Sequence, residues 1–176
     1  YHVFPISSCN AKNQCSSIQW DYAVGVINKA TDVNGKDRTF EFDPLGRLKK
    51  TVFADGGTST RQYFDIGDPK RQRVRETSSD GSLDGLWMDT YLDGLGRSYR
   101  VVKKGDRRRA TFVRDTMFAG ASTQVFKQSH WYRTFRGTTP PIYEIFNYDH
   151  LGRVIKHTHP DGSFLSWAYA NDAHNS

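Results

Sequence analysis

Tyr148-Asp149-His150-Leu151-Gly152-Arg153-Val154 reads as a chain reversal followed by the start of a strand. Two other stretches superimpose on it without gaps, Phe42-Asp43-Pro44-Leu45-Gly46-Arg47-Leu48 and Leu92-Asp93-Gly94-Leu95-Gly96-Arg97-Ser98. The shared core is Asp-x-Leu-Gly-Arg. In the Asp43 copy each residue has a physical reason to be there. The carboxylate bonds the backbone ahead of it, Pro44 presets φ at the second position, and Gly46 takes a fourth position where φ is often positive. A bulge beside that glycine is expected to re-aim the outgoing strand.

Working outward, a second turn signal lies 12 residues beyond each Asp: Asp55-Gly56 after Asp43, Gly105-Asp106 after Asp93, and Asp161-Gly162 after Asp149. Weaker copies sit at Asp65 and Asp115, each 22 residues beyond a strong one (65 − 43 and 115 − 93). Between the reversals lie runs rich in Val, Leu, Ile, Thr and aromatic residues, expected as strands over 47–54, 97–104 and 153–159, with return strands over 39–42, 90–92 and 144–148. Asn34-Gly35, Asp55-Gly56, Asp80-Gly81 and Asp161-Gly162 are expected to form two-residue primed turns. No window of eleven or more residues carries a helical apolar period between a cap and a stop, so the expected class is all-β, a succession of antiparallel hairpins with almost no helix.

Composition agrees. The chain has 176 residues, mean hydropathy −0.70 and 36% apolar residues, and offers no run of the ~20 apolar residues that a spanning helix requires. Aromatics at 14% exceed what a disordered polymer carries. The net charge of +6 leaves nucleic acid, acidic polysaccharide or an acidic protein open as partners. Lys103-Lys104-Gly105-Asp106-Arg107-Arg108-Arg109 is the densest basic run, and Arg71, Arg73 and Arg75 are spaced to face one side of a strand. No nucleic-acid motif accompanies these charges, so a nucleic-acid partner is not expected. Cys9 and Cys15 are the only cysteines; they would close a small loop if oxidised, as in an exported protein, or remain as two free thiols.

These copies carry a resemblance. Tyr148-Asp149-His150-Leu151-Gly152-Arg153 and its partners at Phe42 and Leu92 resemble the tyrosine–aspartate repeat of the RHS/YD-repeat family. The stretch from Asp80-Gly81 through Trp87-Met88-Asp89-Thr90-Tyr91 to Arg97 is similar to segments of the B component of bacterial insecticidal toxin complexes. Phe42 and Leu92 depart from the pattern by replacing Tyr, and the copies at Asp65 and Asp115 lack the Gly-Arg. The chain is accordingly divided into an N-terminal hairpin or loop segment, 1–30, and YD-type hairpin repeats over 31–172 with turns at 43, 65, 93, 115 and 149.

The resemblance implies a segment of a spiralling β-ribbon that closes into a shell around a toxin or other polypeptide cargo, in an exported bacterial protein at the cell surface or outside it. It implies no enzyme activity and no cofactor. A chain that starts at Tyr1 without a signal sequence is expected to be a processed or excised piece. Open sheet edges are expected to meet the remainder of a larger RHS polypeptide or copies of the same chain. The alternative is a secreted or surface module that self-assembles and contacts carbohydrate or a partner protein.

The residues assigned to the repeat motif are Asp43, Gly46, Arg47, Asp93, Gly96, Arg97, Tyr148, Asp149, Gly152 and Arg153, with Asp–Arg pairing within or between repeats. Phe40, Phe42, Trp87, Tyr91, Phe146, Tyr148 and Trp167 are expected to pack between repeats. His157-x-His159, with His150 in the preceding turn, has an attractive spacing for zinc, but no acidic or cysteine ligand completes it in sequence, and no metal site is assigned.

Overall fold

The computed structural model describes residues 4–82, 84–105, 110–134 and 140–169. Among these the chain is all-β, with 15 strands. They are β1 (Ser7–Cys9), β2 (Cys15–Asp21), β3 (Val26–Thr31), β4 (Asp37–Phe42), β5 (Leu48–Val52), β6 (Thr58–Phe64), β7 (Arg73–Ser78), β8 (Leu86–Leu92), β9 (Ser98–Lys104), β10 (Thr111–Phe118), β11 (Val125–Ser129), β12 (Tyr132–Arg133), β13 (Tyr143–Tyr148), β14 (Val154–Thr158) and β15 (Phe164–Ser166). Strand order follows chain order through β11, then β13, β14 and β15, while β12 pairs back onto β10. The pairing is antiparallel, as short hairpin connections require.

The residues fall into two compact units, Tyr1–Phe64 with Val74–Met88 and Asp65–Arg73 with Asp89–Ser176. In the first unit, Cys9 and Cys15 are paired across β1 and β2 and joined by a disulfide, their Cα atoms 4.0 Å apart.

One turn design recurs. In 32–36, 43–47, 53–57, 93–97, 149–153 and 159–163 the first N–H donates to the fifth carbonyl, and the fourth N–H donates to the first carbonyl. The fourth residue is always Gly, with φ between 73° and 86°. The two central residues keep negative φ, so these are unprimed turns closed by a left-handed glycine. The primed turns expected at Asn34-Gly35, Asp55-Gly56 and Asp161-Gly162 are therefore corrected, because the glycine follows the central pair instead of belonging to it. Asp80 likewise lacks the positive φ of a primed turn.

A spare residue accompanies the turns. Asn28, Lys49, Phe126 and Ile155 each lie unpaired where the register shifts, near the start of the outgoing strand, and each is exposed. These β-bulges bend and twist the strand pair.

Asp115 corrects the 22-residue spacing. It is not a turn residue but lies inside β10, 9% exposed. The reversal after β10 instead runs from Ala119 to Gln124, where Ala119 N–H donates to the Gln124 carbonyl. Strand β10 has β9, β11 and β12 as neighbours, and it supplies Val113, which with nearby Ala110 makes up the buried hydrophobic residues among those described, at 5% and 3% exposure. Of the expected aromatic positions, Phe40, Phe42, Trp87, Tyr91, Phe146 and Tyr148 are half-buried, whereas Trp167 is 42% exposed beyond the edge strand β15.

Candidate functional site: turn clasps and a histidine–glutamate cluster

The Asp-x-Leu-Gly-Arg residues form a clasp within each repeat. Asp43 Oδ1 accepts the N–H groups of Leu45 and Arg47, both at 2.9 Å, while Oδ2 accepts Arg47 Nε at 2.7 Å. Asp93 receives Leu95, Arg97 N–H and Arg97 Nε at 2.9, 3.0 and 2.7 Å, and Asp149 receives Leu151, Arg153 N–H and Arg153 Nε at 2.9, 2.9 and 2.7 Å. Each pair therefore closes within its own turn. These bonds hold all three carboxyls below the usual range. The backbone bond from Arg47 leads at Asp43 and the side-chain bond from Arg97 leads at Asp93; at Asp149 desolvation opposes the shift, and the Arg153 bonds together overcome it.

Each guanidinium then lies over an aromatic ring: Arg47 on Tyr63 at 4.1 Å, Arg97 on Phe118 at 4.5 Å, and Arg153 on Tyr169 at 4.2 Å. The tyrosines tie back as well, Tyr63 Oη donating to the Leu48 carbonyl at 3.1 Å and Tyr169 Oη to that of Val154 at 2.8 Å. Phe118 has no hydroxyl, and there Arg97 donates to the carbonyls of Gly120, at 2.9 Å, and Ser122. Tyr148 makes the same backward bond to Val125, at 2.7 Å, over the turn where Gln124 replaces the arginine. The ring of one strand thus caps the turn before it. Sequence reasoning assigned Tyr148 to the motif but missed Tyr63 and Tyr169; a signal was present, since each lies 16 residues after its arginine (63 − 47 and 169 − 153).

The weaker copy at Asp65 does turn, with Asp65 at φ 50°. Gln72 replaces the clasp, accepting Gly67 N–H at 3.0 Å and donating to the Asp93 carbonyl at 2.5 Å. Asp115 anchors a different network: Oδ1 accepts Arg100 Nε at 2.6 Å, Oδ2 accepts Tyr132 Oη at 2.6 Å, and Asp115 N–H donates to Ser129 Oγ at 2.8 Å. Burial, and then the bond to Asp115, push the Tyr132 hydroxyl up to about 12.

The basic residues divide. Arg73 and Arg75 lie in β7, but Arg71 lies in the turn before it, so the three do not form one strand face. Arg75 stacks on Trp87 at 4.7 Å and Lys103 on Trp131 at 4.2 Å. Asp106 to Arg109 lie outside the described residues.

The structure gives the histidine pair the acidic partner that sequence spacing did not reveal. Glu144 Oε2 meets His157 Nε2 at 2.7 Å and His159 Nδ1 at 3.0 Å, while Oε1 meets His130 Nε2 at 2.7 Å. His130 bonding leads in holding the Glu144 carboxyl below its usual range, against desolvation and together with His157 and His159. His150 sits in the exposed 149–153 turn, outside this cluster. A cavity of about 620 Å³ in the first unit is lined by Ile18, Ala30, Arg38, Phe40 and Phe53 among others and contains none of these histidines.

Sequential strand order with clasped turns defines the class: an all-β sheet of consecutive antiparallel hairpins, the fold class that the turn motif led us to expect. No family model matches the chain, and no curated protein matches it. Among solved structures it is similar to a crystal structure of TcdB2-TccC3, at 14% identity and TM-score 0.34, over 88% of this chain and 11% of that one. It is also similar to one of TcdB2-TccC3-Cdc42, at 16% identity and TM-score 0.25, over 89% of this chain and 12% of that one. The chain thus spans a small part of the length of either.

Proposed function

We propose that this chain is an architectural segment of an exported bacterial RHS/YD-type protein and contributes to a wall that encloses a toxin or another polypeptide. The observation that carries the reading is the near absence of a private core. Among the described residues only Ala110 and Val113 are buried hydrophobics, although strand follows strand in regular order. A sheet built this way holds its shape through clasped turns and ladder hydrogen bonds, and its apolar side chains gain most when something covers them. The work is enclosure, with no catalytic step and no cofactor.

Other features support the reading. Strands β1 and β15 are exposed along their length and each has one neighbour among the described residues, so both offer backbone groups to further strands. The Cys9–Cys15 disulfide suits an oxidising compartment outside the cell.

The test is protease protection in the native source protein. The wall reading expects these residues inside a much longer polypeptide, with a second segment that resists protease until denaturant opens the repeats. Recovery of a short secreted chain, with no protected segment and with copies joined edge to edge in sedimentation, overturns it in favour of a self-assembling surface module.

A further inference from the structure

Glu144, His157 and His159 are brought together by strand register alone. Phe146 pairs with His157 and Ile145 with Thr158, so continuing the ladder sets Glu144 opposite His159, with His157 diagonal on the same face. On the other side Gln128 pairs with Glu144, and His130 N–H donates to the Ile142 carbonyl at 2.9 Å, so His130 approaches diagonally from just beyond β11. The neighbours at these register positions are Gln128, Phe146 and Leu165, all uncharged.

We propose that Glu144 Oε2, His157 Nε2 and His159 Nδ1 form a binding site for one divalent transition-metal ion of the zinc class, with His130 as a positioning residue that holds the other oxygen of Glu144. The three ligand atoms lie within 4.8 Å of one another, so small side-chain rotations suffice to place an ion between them. Oε2 accepts from both imidazoles, which requires a proton on each facing nitrogen. A divalent ion takes the place of those two protons, each of which moves to the other nitrogen of its ring. Two neutral imidazoles and one carboxylate carry a net charge of −1, attractive to a dication, and leave a fourth coordination position open. Nitrogen donors favour zinc, nickel and copper over calcium or magnesium, which prefer all-oxygen sets.

The donors are also preorganised. Glu144 and His157 project from the paired strands β13 and β14, His159 opens the turn that follows β14, and the His157 ring is stacked on Phe146 at 4.4 Å with 12° between planes. The bond from His130 to Oε1 fixes the carboxylate in the manner of an outer-shell partner. An ion here would tie β13 to β14 by coordination in addition to the ladder. The inference does not depend on what the wall encloses.

The test uses the untagged 176-residue chain after chelator treatment, titrated with zinc chloride by calorimetry and with cobalt(II) by visible absorption. The expected result is one ion per chain. H157A, H159A and E144Q should each weaken binding at least about 100-fold, H130A about 10- to 100-fold, and H150A not at all. To guard against variants that fail to fold, zinc should shift the imidazole NMR signals of His157 and His159 in the wild-type chain while leaving those of His2 and His150 in place. No binding heat and no cobalt band, binding that survives H157A/H159A, shifts confined to His2 or His150, or equally tight calcium would each overturn the proposal.

Discussion

Replacing Asp115 by Ala should destabilise the chain by about 2–3 kcal/mol, with most of that loss coming from one neighbour, Tyr132. The bond from Tyr132 Oη is short, 2.6 Å, and ends on a carboxylate that is 12% exposed, so it belongs with charge-assisted bonds worth about 1.5–3 kcal/mol. The Arg100 contact is equally short, but its side chain is 46% exposed, and solvent screening cuts it to roughly 0.5 kcal/mol. The bond from Asp115 N–H to Ser129 survives because it comes from the backbone. Urea unfolding followed by circular dichroism, on wild type, Asp115→Ala, Tyr132→Phe, Arg100→Gln and the two double variants that contain Asp115→Ala, gives both couplings directly. The expected coupling between Asp115 and Tyr132 is at least about 1 kcal/mol, against no more than about 0.5 for Asp115 with Arg100. Equal couplings, or an Asp115→Ala variant within about 0.5 kcal/mol of wild type, would refute the assignment of β10 as the anchored strand.

Three further outcomes follow from the geometry. Gly46→Ala should cost about 1–2 kcal/mol, since its φ of 74° is left-handed while the added methyl meets open space; Gly105→Ala should cost more, because its Cβ would lie 2.7 Å from the Ala110 carbonyl oxygen, and urea midpoints in the reverse order would contradict this. The Tyr132 hydroxyl, raised from 10.0 to about 12, contributes stability that is complete below pH 10 and lost as pH rises through 12; tyrosinate absorbance should show a late step that Tyr132→Phe removes. The clasp carboxylates, lowered from 3.8, contribute stability present above that value and lost as pH falls through their folded-state values, so Asp93→Asn should flatten the acid limb of the urea midpoint, and an unchanged limb would count against the clasp.

Much of the fold was legible because Asp-x-Leu-Gly-Arg states its turn completely: an acceptor, two residues of ordinary φ and a left-handed glycine. The Asp-Gly pairs misled because the same dipeptide fits a primed turn and the end of an unprimed one, and only neighbouring backbone bonds decide between them. Spacing misplaced Asp115 because the 22-residue interval does not register that β10 runs on to Phe118, and burial put the carboxylate to a different use. The histidine pair was legible by alternation along one strand. Its glutamate was not, because it reaches that face only through a register shift across the hairpin.

That shift gives the spare residue Ile155 a significance beyond its own side chain. Were Ile155 paired with Asn147 and the ladder continued from the 149–153 turn without a bulge, Glu144 would stand opposite Thr158 and point away from both imidazoles. Losing Ile155 itself would remove the bulge and leave every pair beyond it in place, Glu144 with His159 included, whereas losing a paired residue of the same strand would carry the imidazoles to the other face unless another bulge formed. In such a sheet, a one-residue insertion or deletion should be judged by whether it falls at a bulge, which absorbs it, or in the paired ladder, where it reverses the faces beyond it.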